Sequence, residues 1–260
     1  MKAKNIVSLS ITGILAGLAL LPLQRVDARS LSAIEKDHKI IIATEGQFSP
    51  FNYFQAGKLT GFEIDIANAV AQKMGLTVEW KSVGFDALIA GLQQDRWDLV
   101  IASHGITESR AKVVTFTTPH YCTGGVIVSK DPAIRSVANL AGKNVVVQVG
   151  TSYLENLKKV PNIKDIKTFP KDTDAQAAVT MGRADAWVSD KFLAKAAIAA
   201  NPSSGLKIGD FVFVEKVGAL VSKGNIPLAD AYNKAFNQIL ADGTYAAISN
   251  KYFKEDIRCK

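Results

Sequence analysis

Cysteine is nearly missing from this chain of 260 residues, which carries only Cys122 and Cys259. Two cysteines cannot build a disulfide framework, and neither lies in a Cys-x-x-Cys or Cys/His ligand spacing, so structural zinc is not expected. Histidine is almost as scarce: His38, His104 and His120 are the three, which leaves few general bases of the usual kind. A Gly-x-Ser-x-Gly elbow, a Gly-x-x-x-x-Gly-Lys-Ser/Thr loop, a Gly-x-Gly-x-x-Gly turn and a His-Glu-x-x-His pair are all absent. No run of five lysines or arginines occurs, and no basic patch is interleaved with aromatics. The formal charge of +7 therefore reads as a dispersed positive surface, and a nucleic-acid partner is not expected. These absences leave no expected metal, cofactor or catalytic residue.

What is present is ordinary globular composition, 48% hydrophobic and 21% charged, which excludes a disordered tail or a fibre. Length alone allows one or two domains and a core that needs no staples. The amino-terminal residues 1–28 read as an export signal: Lys2 and Lys4, an apolar stretch over 6–23, then Val26-Asp27-Ala28 as a small-residue cleavage site. The stretch is near the lower limit of about 17 residues for a membrane span, but Ser8, Ser10, Thr12, Gly13, Gly17 and Pro22 argue against an anchor. No cysteine follows it, so a lipid anchor is not expected either. Cleavage removes Lys2, Lys4, Arg25 and Asp27, leaving the mature chain at +5, in the periplasm.

From Lys39 onward, short β-rich runs alternate with helical periodicity. Residues 40–43 form a continuous β-branched run, then Ile64, Ile66, Ala67, Val70, Ala71 and Met74 fall at helical spacing before Gly75. Strands are expected at 78–80, 99–102, 145–147, 166–169 and 186–188, with helices at 85–92, from 152, at 174–181, 229–240 and 244–252. This alternation predicts an α/β chain with largely parallel sheets. An internal echo sharpens it. Residues 94–103 align with 181–190 when Arg96 is set on Arg183 and Asp98 on Asp185, each a helix end, a polar turn and a buried strand. Two such units imply two lobes, with a ligand expected in the cleft at the carboxyl ends of their strands.

Polar groups gather at those strand ends: Glu45, Ser103, Thr107, Arg110, Thr151, Ser152 and Asp190, with Phe48, Phe51 and Phe85 nearby. A guanidinium matches a carboxylate bidentately and an aspartate matches an ammonium. Arg110 and Asp190 on opposite lobes would suit a zwitterion. His104 lies beyond a strand end, where it could line the cleft, and Phe51, following Pro50, reads as core.

The segment Gly61-Phe62-Glu63-Ile64-Asp65-Ile66, with Val70-Ala71 and Met74, resembles the signature of bacterial periplasmic solute-binding proteins that serve polar amino-acid ABC importers, family 3. Ile106-Thr107-Glu108-Ser109-Arg110-Ala111-Lys112, with Phe116 and Pro119, resembles that family's second landmark. Gly150-Thr151-Ser152 and Val188-Ser189-Asp190 fall where the third and fourth belong. Two departures stand out: the usual Thr-Pro-Glu-Arg is Thr107-Glu108-Ser109-Arg110, and the hydroxyl residue common two positions before that threonine is Gly105.

The resemblance implies a two-lobe, type II periplasmic-binding-protein fold, each lobe a mostly parallel sheet flanked by helices and joined by a two-strand hinge. Lobe one would be 29–123 plus 216–260 and lobe two 124–215, with crossings near 121–125 and 212–216. It also implies that Arg110 grips a ligand α-carboxylate, helped by the N–H groups of Gly105 and Ser152. Asp190 would take the α-ammonium with Ser103 assisting, Phe48 and Phe85 would flank the side chain beside Thr151, and Glu45 would face its far end. An acceptor-only carboxylate there favours donors, so arginine and lysine lead, with histidine, glutamine and cystine behind. The partners implied are that free amino acid and a membrane permease, the receptor itself being a monomer. The enzyme alternative is a periplasmic cyclohexadienyl or arogenate dehydratase on the same scaffold. Cys122 beside a crossing and Cys259 on a mobile tail are expected as two free thiols.

Overall fold

The computed structural model of the protein describes residues 28–259, so the expected export signal lies outside the described residues except for Ala28. Among the described residues, no helix is long and apolar enough to cross a membrane. Two five-stranded sheets organise the chain. The first runs Thr77–Ser82, Lys39–Thr44, Leu99–Val100, Leu220–Ser222, Val114–Phe116. Its first three strands are parallel, and Leu220–Ser222 runs antiparallel to both of its neighbours. The second runs Asp165–Phe169, Asn144–Gln148, Ala186–Asp190, Tyr121–Ser129, Lys207–Val217 and repeats the plan: a parallel trio, then a strand antiparallel to both of its neighbours, then an outer strand.

The echo in the sequence has a structural cause. Asp98 accepts the Ile41 N–H at 2.7 Å and donates its own N–H to the Ile41 carbonyl at 2.9 Å. In the other sheet Asp185 does the same with Asn144, at 2.7 and 2.9 Å. A short carboxylate before the middle strand thus locks the register of the parallel pair in each lobe, where a one-residue slip would turn every apolar side chain outward.

The helix Phe62–Lys73 begins at Gly61, whose φ of 129° and close approach to the Phe51 carbonyl leave no room for a β-carbon. Ile66, Ala67 and Val70 bury one face of it. Glu63 and Asp65 sit in its first turn, where the helix dipole favours carboxylates. Both are also tied down: Asp65 accepts from Lys251 Nζ at 2.7 Å and the Tyr252 hydroxyl at 2.8 Å, and Glu63 reaches the cleft. A three-stranded meander over Gln47–Phe48, Asn52–Gln55 and Lys58–Thr60 precedes this helix. It is too polar and too short for its alternation to register in the sequence.

The two crossing strands, Tyr121–Ser129 and Lys207–Val217, pair antiparallel from Tyr121↔Val217 to Ser129↔Lys207. Over their junction Phe51, Tyr121, Phe192 and Phe253 pack together, with Phe51 stacked on Tyr121 at 4.9 Å and edge-on to Phe192 at 6.3 Å. Phe51 is fully buried, as the sequence implied.

The two cysteines are not free thiols: Cys122 and Cys259 form a disulfide that closes a separation of 137 residues. The expected mobile tail is in fact pinned. After the helix Thr244–Phe253 the chain turns at Lys254, and Ser249 Oγ accepts the Ile257 N–H at 3.1 Å while donating to the Glu255 carbonyl at 2.7 Å. Ile257 is buried and its carbonyl accepts the Cys122 N–H at 3.2 Å, which brings the two sulfurs together.

Candidate functional site

The carboxyl ends of the two sheets' parallel strands face each other, and the side chains there bridge the gap. Gln148, at the end of its strand, donates to Glu45 Oε1 at 2.6 Å and to the Pro170 carbonyl at 3.1 Å. Arg110 donates from Nη1 to the Gly105 carbonyl at 2.8 Å and from Nη2 to the Gly150 carbonyl at 3.0 Å. Its guanidinium lies 5.7 Å from the centre of the Phe85 ring, itself stacked on His104 at 4.4 Å. Ser109, one of the departures in the second landmark, donates across to Glu155 at 3.2 Å. A glutamate there would set two carboxylates against each other.

Between these bridges lies a small cavity of about 10 Å³ lined by Glu45, Phe48, Phe85, Ala102, Ser103, Gln148, Thr151, Ser152 and Tyr153. Six of the nine residues expected from the sequence therefore line one cavity. Arg110 borders it through Gly150 and Phe85. Gly105 lies under Arg110, and Asp190 stands behind Tyr153, whose hydroxyl pKa burial pushes well up, with Asp190, Glu215 and Asp172 adding to the rise and Arg110 opposing it. His104 does not line the cavity but backs it: it is buried, and burial followed by the Arg110 charge holds its pKa well below the usual value, so the ring is neutral.

Several groups were not legible in the sequence. Glu63, buried in the first turn of its helix, accepts from Asn52 Nδ2 at 2.8 Å, the Ser103 N–H at 2.7 Å and Ser103 Oγ at 3.1 Å. Ser103 has a φ of 54°, a left-handed conformation rare for a residue with a side chain, and Glu63 is what holds it. With its proton given to Glu63, the Ser103 oxygen is left as an acceptor facing the cavity. Asp172 likewise accepts from Trp187 and Ser189 at 3.0 Å each. Gln148 and Glu215 lacked any spacing signal.

Burial dominates the electrostatics. It pushes Glu45 up to about 7, against the Gln148 hydrogen bond and with help from Asp172 and Asp86. It pushes Glu63 and Asp172 to about 7 as well, and Asp190 to about 6 despite hydrogen bonds from Thr123, Leu193 and Phe192. Burial thus holds these carboxyls back from ionising around one guanidinium, and a ligand that brings its own positive charge would favour their charged form.

Asp190 has a second task. Its Oδ1 accepts the N–H groups of Phe192 at 2.6 Å and Leu193 at 3.1 Å, capping the helix Lys191–Ala200, and its Oδ2 accepts Thr123 Oγ1 at 2.5 Å. Asp190→Ala is therefore expected to lose about 1 kcal/mol of stability with its cap, whereas Asp190→Asn keeps an oxygen for the cap and removes only the charge. Thermal denaturation and amino-acid titration of the pair separate the two roles: both variants bind about tenfold or more weakly, but only the alanine variant melts clearly earlier.

Among the described residues no cluster of His, Cys, Asp or Glu has the arrangement to hold a metal ion. The model of bacterial extracellular solute-binding proteins, family 3, matches residues 40–255. The probable amino-acid-binding protein YxeM of Bacillus subtilis is 34% identical, over 87% of this chain and 88% of its own. The L-cystine-binding protein TcyJ of Escherichia coli is 30% identical, over 89% and 88%. An ancestral arginine-binding protein solved with arginine superposes with a TM-score of 0.80 at 39% identity, covering 83% of this chain and 98% of that one. Its glutamine-bound structure matches equally well, with a TM-score of 0.80.

Proposed function

We propose that this chain, which belongs to the bacterial extracellular solute-binding proteins of family 3, is an exported periplasmic receptor that closes two lobes around one polar amino acid and presents it to an ABC importer's permease. The carrying observation is a buried guanidinium and a buried carboxylate that come from the two sides of the cleft, Arg110 on the short helix Glu108–Ala111 and Asp190 at the end of the strand Ala186–Asp190. Arg110 takes the α-carboxylate with the N–H groups of Gly105 and Ser152. Asp190 takes the α-ammonium with the Ser103 oxygen. Phe48, Phe85 and Thr151 line the side-chain pocket and Glu45 meets its far end.

The hinge is the pair of crossing strands, which divides lobe one, 29–123 with 216–260, from lobe two, 124–215. A cavity of about 10 Å³ has room for about one water molecule. An amino acid enters only when the lobes part, breaking the Arg110–Gly150 and Gln148–Glu45 bridges, and closure then replaces those bonds with bonds to the ligand. Each charge-assisted hydrogen bond contributes about 1.5–3 kcal/mol, so a few account for micromolar affinity.

A basic ligand fits Glu45 best, with arginine or lysine ahead of histidine, glutamine and cystine. The relatives named for arginine and for cystine fall within this range. Since the carboxyl of Glu45 sits near 7 and a cationic side chain needs it ionised, arginine binding expels a proton below that pH. Arginine affinity is therefore expected to rise as pH goes from about 5.5 to 8, and Glu45→Gln to make that rise shallower without abolishing it, since Asp190, near 6, must ionise over the same range. Calorimetry in buffers of different ionisation enthalpy checks it. An affinity independent of pH in the unaltered protein would place Glu45 away from the ligand.

The receptor reading itself is tested by thermal shift with L-arginine, L-lysine, L-histidine, L-glutamine and L-cystine. A ligand that binds only the folded state raises the melting temperature by mass action. No shift with any of the five, or turnover of prephenate or arogenate, would contradict it.

A further inference from the structure

The crossing strand Lys207–Val217 carries a carboxyl that the roles above do not use. Glu215 sits opposite Thr123 in the antiparallel pair, and Thr123 is the residue whose hydroxyl bonds Asp190. The segment around Gly105 lies against the end of the same strand: Ile106 N–H reaches the Lys216 carbonyl at 2.8 Å, Gly105 bridges to Val217 and Gly218 N–H reaches the His104 carbonyl at 3.2 Å. A β-carbon at Gly105 would fall on the Glu215 carboxyl, with Cδ at 2.6 Å. Glycine at 105 is thus the condition for Glu215 to reach into the junction of the lobes.

Both Glu215 carboxyl oxygens are buried there and neither makes a hydrogen bond of acceptable geometry. Burial pushes the group up to about 7; the Ser152 hydroxyl and the Arg110 charge pull it the other way without completing a bond, and Asp190 adds to the rise. Arg110 is the nearby cation, but the two hydrogen bonds it makes go to the Gly105 and Gly150 carbonyls. A buried, unpaired carboxyl is costly unless a donor arrives. Glu215 lines, with Thr123 and Ser152, an open groove of about 630 Å³ beside the small cavity, and it lies close enough to Asp190 to feel its charge.

We propose that Glu215 is a second acceptor for the ligand's α-ammonium, filling with a carboxylate the position a side chain at 105 would otherwise occupy. Asp190 and Glu215, on the two strands that flank the strand of Thr123, then take two of the three ammonium N–H groups, and the Ser103 oxygen takes the third. This rests on the receptor reading and narrows its substrate class: the α-amino group must be free and protonated, so N-acylated and des-amino acids are excluded more strongly than by Asp190 alone.

The test begins with the tightest binder among the five amino acids named above and the same molecule lacking its α-ammonium, for arginine 5-guanidinopentanoate. Glu215→Gln is expected to weaken the amino acid about tenfold or more while moving the des-amino acid by less than about twofold. Gly105→Ser alone should weaken binding by colliding with Glu215. Gly105→Ser combined with Glu215→Ala should recover part of the affinity that Glu215→Ala loses, because a serine hydroxyl then occupies the vacated position. If the amino acid and its des-amino counterpart lose equally, Glu215 acts on Arg110 and not on the ammonium, and the proposal is overturned. If Glu215→Gln binds the amino acid within about twofold of the unaltered protein, it is overturned as well. If the unaltered protein binds none of the five, the receptor reading falls first and the proposal with it. Circular dichroism of each variant confirms the fold before binding is compared.

Discussion

Arg110→Ala is expected to weaken amino-acid binding about tenfold at least, because it leaves the ligand carboxylate inside a closed cleft without its cation. The loss has two physical parts. One is the direct pair with the ligand; the other is the pair of contacts within its own lobe that aims the guanidinium, to the Gly105 carbonyl at 2.8 Å and over the Phe85 ring at 5.7 Å. Arg110→Lys is expected to fall in the same range as the alanine variant. An ammonium is a single point charge and cannot serve the Gly105 carbonyl and a carboxylate with the geometry of a planar fork. Calorimetric titration of both variants checks this, and binding by either within about twofold of the unaltered protein would show that another group holds the carboxylate.

Loss of the disulfide is expected to have the largest effect on stability. The bond between Cys122 and Cys259 closes a separation of 137 residues, and constraining an unfolded chain over such a loop is worth about 2–4 kcal/mol. It also fastens the carboxyl-terminal tail, with Ile257 buried and the Tyr245 hydroxyl donating to the His120 carbonyl at 2.6 Å, to a strand of the hinge. Cys122→Ser and Cys259→Ser should each lower the denaturation midpoint by the same amount, as should reduction of the unaltered protein by dithiothreitol. Thiol titration of the oxidised protein under denaturant should find no free thiol, and two titratable thiols would refute the pairing.

What could be read in the sequence follows from what leaves a local trace. The strands with uninterrupted β-branched runs, residues 40–43 and 145–147, are central and parallel, and continuous apolarity is what burial on both faces demands. The Asp98 and Asp185 echo was visible because the same register lock was built twice. The crossing strands were located only as breakpoints. Lys207–Val217 reads as irregular, since Phe211 and Val214 point to solvent and its pairing is interrupted between Ile208 and Phe213. The disulfide was missed because distance along the chain says nothing of a tail that folds back through Ser249. In the site, residues at strand ends could be named, Glu45, Ser103 and Asp190 among them. Glu63 and Glu215 could not: their segments stood out as the signature and as a crossing, but only the fold shows Glu63 reaching Asn52 and Ser103 and Glu215 turning its carboxyl under Gly105.

The central claim is that an amino acid sits between the lobes with its carboxylate on Arg110 and its ammonium on Asp190. A crystal structure of the protein with the tightest-binding amino acid tests it most directly. The expected result is the α-carboxylate within hydrogen-bond distance of the Arg110 guanidinium and the Ser152 N–H, the α-ammonium on Asp190, and the side chain running between Phe48 and Phe85 toward Glu45. A ligand bound elsewhere, or one in this cleft with Arg110 still bonded only to the Gly105 and Gly150 carbonyls, would contradict it.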